Sequence, residues 1–164
     1  MKKLDKKNWA NKVIKSSNIS IRKASFSDIE FLWYLRNRPE VYKYFRNTKS
    51  VNWKIHVNWI IPIILGTSLK SVFVIQKSGI PIGQIRFDYQ TSDISISILK
   101  EFQGKGVALY ALILVIKEIK RRGKNKKIVA EIHKNNFSSI KLFEKLKFKF
   151  EAKNGKWLRY ILNL

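Results

Sequence analysis

The stretch Gln103-Gly104-Lys105-Gly106-Val107-Ala108 puts two glycines and a lysine directly ahead of an apolar helical segment. Glycines at a helix start let backbone N–H groups approach a ligand closely, and the positive end of the helix dipole favours an anion there. Lys105 adds a cation to the same turn. The chemistry indicated is phosphate binding, and three patterns compete for it. A Walker A loop needs Gly, four residues, then Gly-Lys-Ser/Thr, and here Gly106 stands where Ser or Thr belongs. A dinucleotide fingerprint needs a third glycine at position 109, which is Leu109, and a parallel βαβ setting. The third pattern, Gln/Arg-x-x-Gly-x-Gly/Ala between a strand and a helix, is matched in full by residues 103–108.

Groups able to move a proton are few. The chain has two histidines, His56 and His133, and no cysteine. That excludes a disulfide framework, a thiolate zinc site and a cysteine nucleophile, and two histidines give no metal-binding cluster. Asp88, Asp93, Glu131, His56 and His133 are the candidate general bases, with relay through water as the alternative. Arg36, Arg46 and Arg86, with Trp53 or Trp59, offer charge and a stacking face for an anionic acceptor. Arg86 and Asp88, two residues apart in one strand, share a face and can instead pair with each other.

The elements that must position these groups read as follows. Residues 1–17 are polar and lysine-rich, a basic N-terminal arm, and residues 18–164 form one domain. A strand at 19–24 is followed by a helix capped by Ser25 or Ser27 and ended near Asn37 by Pro39. A second helix over 51–65 ends at Pro62. Three strands, 71–76, 81–89 and 92–100, make a meander, with a hairpin turn at Lys77-Ser78-Gly79. The glycine turn then opens a helix to about Arg122, and a strand at 126–133 follows. A short helix over 135–146 is capped by Asn135 or Asn136, and two strands close the chain around Asn154-Gly155. The order β, α, α, β, β, β, α, β, α, β, β predicts an α/β (α+β) fold, a mixed and mostly antiparallel sheet of six to seven strands with helices on both faces.

Composition sets the outer bounds. Apolar residues make up 45% of the chain and aromatics 13%, a globular composition. Thirty-four Lys and Arg against 11 Asp and Glu give a net charge of +23, which suits an anionic partner, nucleic acid included. The longest apolar run, Val107 to Ile116, is about half of the ~20 residues a membrane span needs, and the basic N-terminus lacks a signal-peptide core. The expectation is a cytoplasmic protein, monomer or homodimer, with no membrane span.

The 103–108 pattern in this setting resembles the GNAT superfamily of N-acetyltransferases, in which the turn binds the pyrophosphate of acetyl-CoA. The segment Asn135-Asn136-Phe137-Ser138-Ser139 with 140–148 is similar to the superfamily's closing motif, Asn136 and Ser139 matching its Asn and Ser and Phe148 its last aromatic. The resemblance implies acetyl-CoA as cosubstrate, held by Gln103, Gly104, Lys105, Gly106, Val107 and Ala108, by Asn136, Ser139 and Phe143, and by the backbone at Ile98 and Leu99. It implies direct attack of an amine on the thioester, with Asp93, His56 or His133 as base. Two positions depart from the pattern. Phe143 replaces the tyrosine credited with protonating the CoA thiolate, and Lys147 replaces a glycine, which predicts a regular turn there.

The acceptor half is similar to the subgroup that acetylates nucleotide-linked amino sugars in pseudaminic-acid-type and spore-coat polysaccharide pathways. The matching residues are Arg36-Asn37 with Pro39-Glu40, Asn47-Thr48, His56 with Trp59, and Gly83-Gln84-x-Arg86-Phe87-Asp88. This implies a UDP-linked amino sugar bound by Arg36, Asn37, His56, Trp59, Arg86 and Asp88. A protein N-terminal or ribosomal-protein acetyltransferase, and a non-catalytic acetyl-CoA- or nucleic-acid-binding module, are the alternatives.

Overall fold

A computed structural model of the chain describes residues 18–164, so the basic arm at 1–17 lies outside the described residues. Seven strands form two antiparallel sheets. The first comprises β1 (Ile19–Lys23), β2 (Lys70–Lys77), β3 (Ile80–Asp88) and β4 (Ile94–Ile98), in the order β1-β2-β3-β4. The second comprises β5 (Lys127–His133), β6 (Lys149–Asn154) and β7 (Trp157–Asn163), in the order β5-β7-β6. They meet at one parallel bridge between Asp93 and Val129, tied by Val129 N donating to Ser92 O at 2.9 Å. Beyond it no ladder joins β4 to β5, and the gap between them is a cleft.

The helices are α1 (Ile29–Arg36), α2 (Pro39–Tyr42), α3 (Trp53–Ile64), α4 (Val107–Arg122) and α5 (Phe137–Lys145). Strand alternation decides which face each covers. Ile85 and Phe87 of β3 pack with Ala111, Leu112, Val115 and Ile119 of α4. Val72 and Val74 of β2 pack on the opposite face with Leu32 of α1 and Ile60 and Ile63 of α3. Gln84 and Arg86, cross-strand from Val74 and Val72, share that second face. On β4 the sequence Ile-Ser-Ile-Ser-Ile does the same, burying Ile94 and Ile98 against the α4 core and leaving Ser95 and Ser97 opposite Arg86 and Gln84.

Three local expectations are corrected. The helix expected from Ser25 opens instead with a 3-10 turn (Phe26–Asp28), because Asp28 Oδ2 accepts from both Ser25 N and Ser25 Oγ at 2.8 Å and so fixes the first turn. Pro62 lies inside α3, which runs on to Ile64 because burial of Ile63 holds the last turn. Its end is closed by Thr67 N and Ser68 N donating to Pro62 O. Lys147 is not in a regular turn: its φ is +70°, the left-handed conformation that a glycine would adopt at no steric cost. Phe148 N donates to Phe143 O at 3.1 Å and Lys147 N to Glu144 O at 2.9 Å, and the rings of Phe143 and Phe148 lie 5.0 Å apart. This is the Schellman helix end with its apolar contact, formed by a lysine.

Candidate active site

The cleft between β4 and β5 has a volume of about 1410 Å³ and is lined by residues of the glycine turn, of α5 and of the loop between α2 and α3. In that turn Gly104 and Gly106 have φ of +73° and +77°, so it needs glycine at both positions. Gly106 is the N-cap of α4, and no side chain caps that helix. Its first N–H groups are therefore available to an anion. Gln103 does not face outward from the turn; its Nε2 donates to Ile98 O at 2.8 Å.

The structure brings most of the expected cofactor residues to this cleft. Ile98, Gln103, Gly104, Gly106, Ala108, Asn136, Ser139 and Phe143 line the cleft. Leu99, Lys105 and Val107 do not: Val107 is buried, Lys105 is exposed, and Leu99 N donates to Ile82 O at 3.0 Å. Asn136 caps α5, its Oδ1 accepting from Ser139 N at 3.3 Å and Ser138 Oγ at 3.0 Å.

On the acceptor side Arg36 and Arg86 line the cleft and converge on one ring. Their guanidinium carbons stand 4.7 and 5.5 Å from the centroid of Phe45. Arg86 also lies 5.7 Å from Trp59, and its Nε donates to Ser95 Oγ at 3.1 Å. Arg36 donates to the carbonyls of Asn47 and Lys49 at 3.2 and 3.3 Å. Neither guanidinium forms an ion pair with any carboxylate among the described residues. Burial pushes both below the ordinary arginine value, and Arg36 adds repulsion at Arg86. Asp88, the other possible partner of Arg86, is turned to Lys70 at 3.7 Å and accepts from Gln90 N at 2.9 Å.

Asn37, His56, Trp59, Asp88 and Asp93 are not among the cleft-lining residues. Asn37 grips Val51 through both its backbone groups, at 2.9 and 2.7 Å, and so anchors the end of the α2–α3 loop. His56 is buried between Trp53 and Trp59 with Nε2 3.1 Å from Ile29 O, and burial, followed by the charge of Arg36, pushes its imidazole below the ordinary value. Trp59 packs with the α1–α3 core while offering Arg86 a ring. Asp93 stands at the bridge between the sheets. His133 does line the cleft; its ring lies 5.9 Å from Tyr44 and 5.5 Å from Trp157, and its Nδ1 accepts from Asn135 N at 3.2 Å.

The residues that the sequence did not single out come from the loop after α2 and from β4. Tyr44 reaches His133 and Phe45 receives both arginines, while Arg46, which the sequence did offer as a charge for the acceptor, lies 4.6 Å over Trp157 and pairs with Glu131. Phe45 carries no periodic signal that would have marked it. Ser95 and Ser97 were findable from the strict Ile/Ser alternation of β4. Altogether seven Lys or Arg and three Glu line the cleft. All three carboxylates are engaged: Glu40 with Arg38, Glu131 with Arg46, and Glu144 with the Tyr160 hydroxyl. The net positive lining suits ligands that bring negative charge.

No group of His, Asp and Glu able to hold a metal occurs among the described residues, and none of their helices is long and apolar enough to cross a membrane.

Known proteins are similar to this chain in sequence and in fold. A protein of Methanocaldococcus jannaschii described as uncharacterized is 35% identical over 166 residues, covering 93% of this chain; the chain spans about a third of that relative's length (33%). The crystal structure of an N-acetyltransferase from Staphylococcus aureus Mu50 is 26% identical, with a TM-score of 0.71 over 90% of this chain and 99% of that one. The spermidine N-acetyltransferase of Vibrio cholerae, solved with CoA and spermine, shares the fold at 18% identity, with a TM-score of 0.77 over 89% of this chain and 95% of that one. The family model described as acetyltransferase (GNAT) domain matches residues 18–149, and the chain belongs to that family.

Proposed function

We propose that this domain transfers the acetyl group of acetyl-CoA directly to the amine of a nucleotide-linked amino sugar, a UDP-sugar in the first instance. The observation that carries the acceptor half is the pair Arg36 and Arg86, two guanidiniums on one Phe45 ring with no carboxylate between them. A partly buried cation without an ion pair carries a desolvation cost, and an acceptor diphosphate repays that cost with charge-assisted hydrogen bonds.

The donor half rests on the uncapped N-terminus of α4 and its two left-handed glycines, a cradle that fits a pyrophosphate, with Lys105 beside it. Asn136 and Ser139 line the same cleft as Ile98 at the end of β4, and the pantetheine arm would run between them. When bound, acetyl-CoA supplies an activated thioester. The acceptor amine attacks its carbonyl carbon, forming the N–C bond as the C–S bond breaks, and the amine proton is lost. His133 is the imidazole among the cleft-lining residues. While its Nδ1 accepts from Asn135 N the ring carries its hydrogen on Nε2, so His133 takes the amine proton only with Nδ1 released from Asn135, and water is the alternative route. Phe143 offers no proton to the departing sulfur, and a thiol of pKa about 8.5 leaves adequately without one. Dependence on acetyl-CoA fits a cytoplasmic location.

The test is acetyl transfer to UDP-linked amino sugars, free amino sugars and peptides with free N-termini, followed by CoA release. The UDP-linked form should be used far better than the free sugar, because the free sugar forfeits the binding energy of the diphosphate. Faster turnover of peptides would overturn the acceptor assignment and favour a protein N-terminal acetyltransferase.

A further inference from the structure

Gln84 sits in the middle of β3 with only 3% of its surface exposed, and its Oε1 is buried without a hydrogen-bond partner. An orphaned amide oxygen at a sheet centre is costly and uncommon, so what could satisfy it bears directly on function. Directly opposite in the β3–β4 register is Ser97, which lines the cleft. Residues facing each other in this way have Cβ atoms about 4.5–5.5 Å apart, within reach of a glutamine amide. Gly83 draws the strands close at this point: a Cβ there would stand 2.6 Å from Ser97 O. The next serine on the same face, Ser95, is already engaged by Arg86 Nε, so Ser97 holds the uncommitted hydroxyl of β4. It immediately precedes Ile98, the residue to which the glycine turn is fastened.

We infer that Ser97 and Gln84 form a hydrogen-bond relay that seats the acceptor amine: an amine N–H donates to Ser97 Oγ, and the Ser97 O–H donates to Gln84 Oε1. The inference rests on the acetyl-transfer reading and not on the acceptor being a nucleotide sugar. A hydroxyl turns its hydrogen to suit its surroundings, and once its oxygen accepts from the amine the Gln84 carbonyl becomes the acceptor for its hydrogen. The bound amine thus completes a pair of groups that the free protein leaves open. Donating through N–H leaves the amine's single lone pair free for the reacting carbonyl. Ser97 touches the substrate, whereas Gln84 is a positioning residue that acts through Ser97.

The experiment is a double-mutant cycle on the full chain with whichever amine of the panel is acetylated fastest, combined with thermal melts. Ser97→Ala and Gln84→Met should each lower kcat about three- to tenfold, the loss of one neutral hydrogen bond, with KM for acetyl-CoA unchanged. Ser97→Thr, which keeps the hydroxyl, should restore most of the rate. In the Ser97→Ala background, Gln84→Met should have no further effect. Equal loss in both backgrounds would overturn the relay. The melts need no acceptor: removing an orphaned oxygen should leave the melting temperature of Gln84→Met unchanged or raised, and a clear fall would show a structural partner for Oε1 and end the inference. Absence of turnover with every amine in the unchanged chain would instead remove the acetyl-transfer reading, leaving the melts to decide whether Gln84 is unpartnered.

Discussion

Gln103 Nε2 donates to Ile98 O at 2.8 Å, so the residue that opens the glycine turn is fastened to the last residue of β4. One hydrogen bond thereby sets the distance between the anion cradle at α4 and the strand along which the acyl group would lie. Gln103→Leu removes the donor while keeping bulk. The expected outcome is acetyl-CoA affinity weakened about three- to tenfold, as for loss of one neutral hydrogen bond, with the melting temperature nearly unchanged. Calorimetric titration decides it, and undiminished affinity would show that the turn holds its place without this tether.

Gly106→Asp should abolish acetyl-CoA binding altogether. The backbone there has φ +77°, which costs an L-residue about 1–2 kcal/mol, and the new carboxylate would meet the pyrophosphate at the positive end of α4. Gly106→Ala carries the strain without the charge and should weaken binding less. If the two variants bind alike in calorimetry, electrostatics at this turn is not what holds the ligand.

How much of this was legible in the sequence depends on what each residue had to do. The glycine turn was readable because glycine adopts that backbone at no steric cost, and Asn136 was readable as a cap because asparagine suits that position. The face of β4 was readable from alternation. Phe45 was not, since a loop has no period and its partner Arg86 is far away in sequence; Arg46 was legible as a charge, but not its pairing with Glu131 and Trp157. His56 looked like a catalytic group in sequence but is buried against Ile29 O, a placement that only tertiary packing reveals.

Lys147 shows a local rule being overridden. The helix end closes around it because the Phe143–Phe148 contact and two backbone hydrogen bonds require a left-handed residue at that point, whatever its side chain. Lys147→Gly should therefore stabilise the fold by about 1 kcal/mol, raising the melting temperature by roughly 2–4 °C for a chain of this size. A fall in melting temperature would mean that the lysine side chain contributes more than the strain costs.

Asp28 supplies a pH-dependent share of stability. It is 2% exposed, and burial raises its pKa, but the Arg22 fork at 2.6 and 2.7 Å and two Ser25 donors outweigh that and hold it below the usual carboxylate range. A depressed folded-state pKa gives stability that is fully present above the unfolded value of about 3.9 and is lost as pH falls through the folded value. Asp28→Asn should cost about 1–3 kcal/mol near neutrality, a range discounted for the partial exposure of Arg22. Urea melts should show that gap steady from pH 7 to about 5 and closing below about 4. A gap independent of pH would trace the loss to packing instead of charge.

The arginine pair gives the sharpest separation of stability from function. Arg86 projects from the centre of a sheet face and Arg36 from the end of α1, and both meet Phe45 with no carboxylate to balance them. Replacing a partly buried cation that has no ion pair with an apolar side chain of similar length removes a desolvation cost, so Arg86→Met should melt at the same temperature or higher. The same change removes a charge-assisted contact of about 1.5–3 kcal/mol to an anionic acceptor, which is roughly ten- to a hundredfold in kcat/KM. Acetyl-CoA affinity should stay within about twofold, because the contacts of Arg86 are with Phe45, Trp59 and Ser95 and not with the glycine turn. Arg86→Lys keeps the charge but not the planar fork, and should recover only part of the loss for a diphosphate that the fork would grip with two hydrogen bonds. Arg36→Met should follow the same pattern, and raising the salt concentration should weaken acceptor use by the unchanged chain more than by either variant. If Arg86→Met loses stability and activity together, the arginine is part of the fold and the acceptor's charge must be read elsewhere in the cleft.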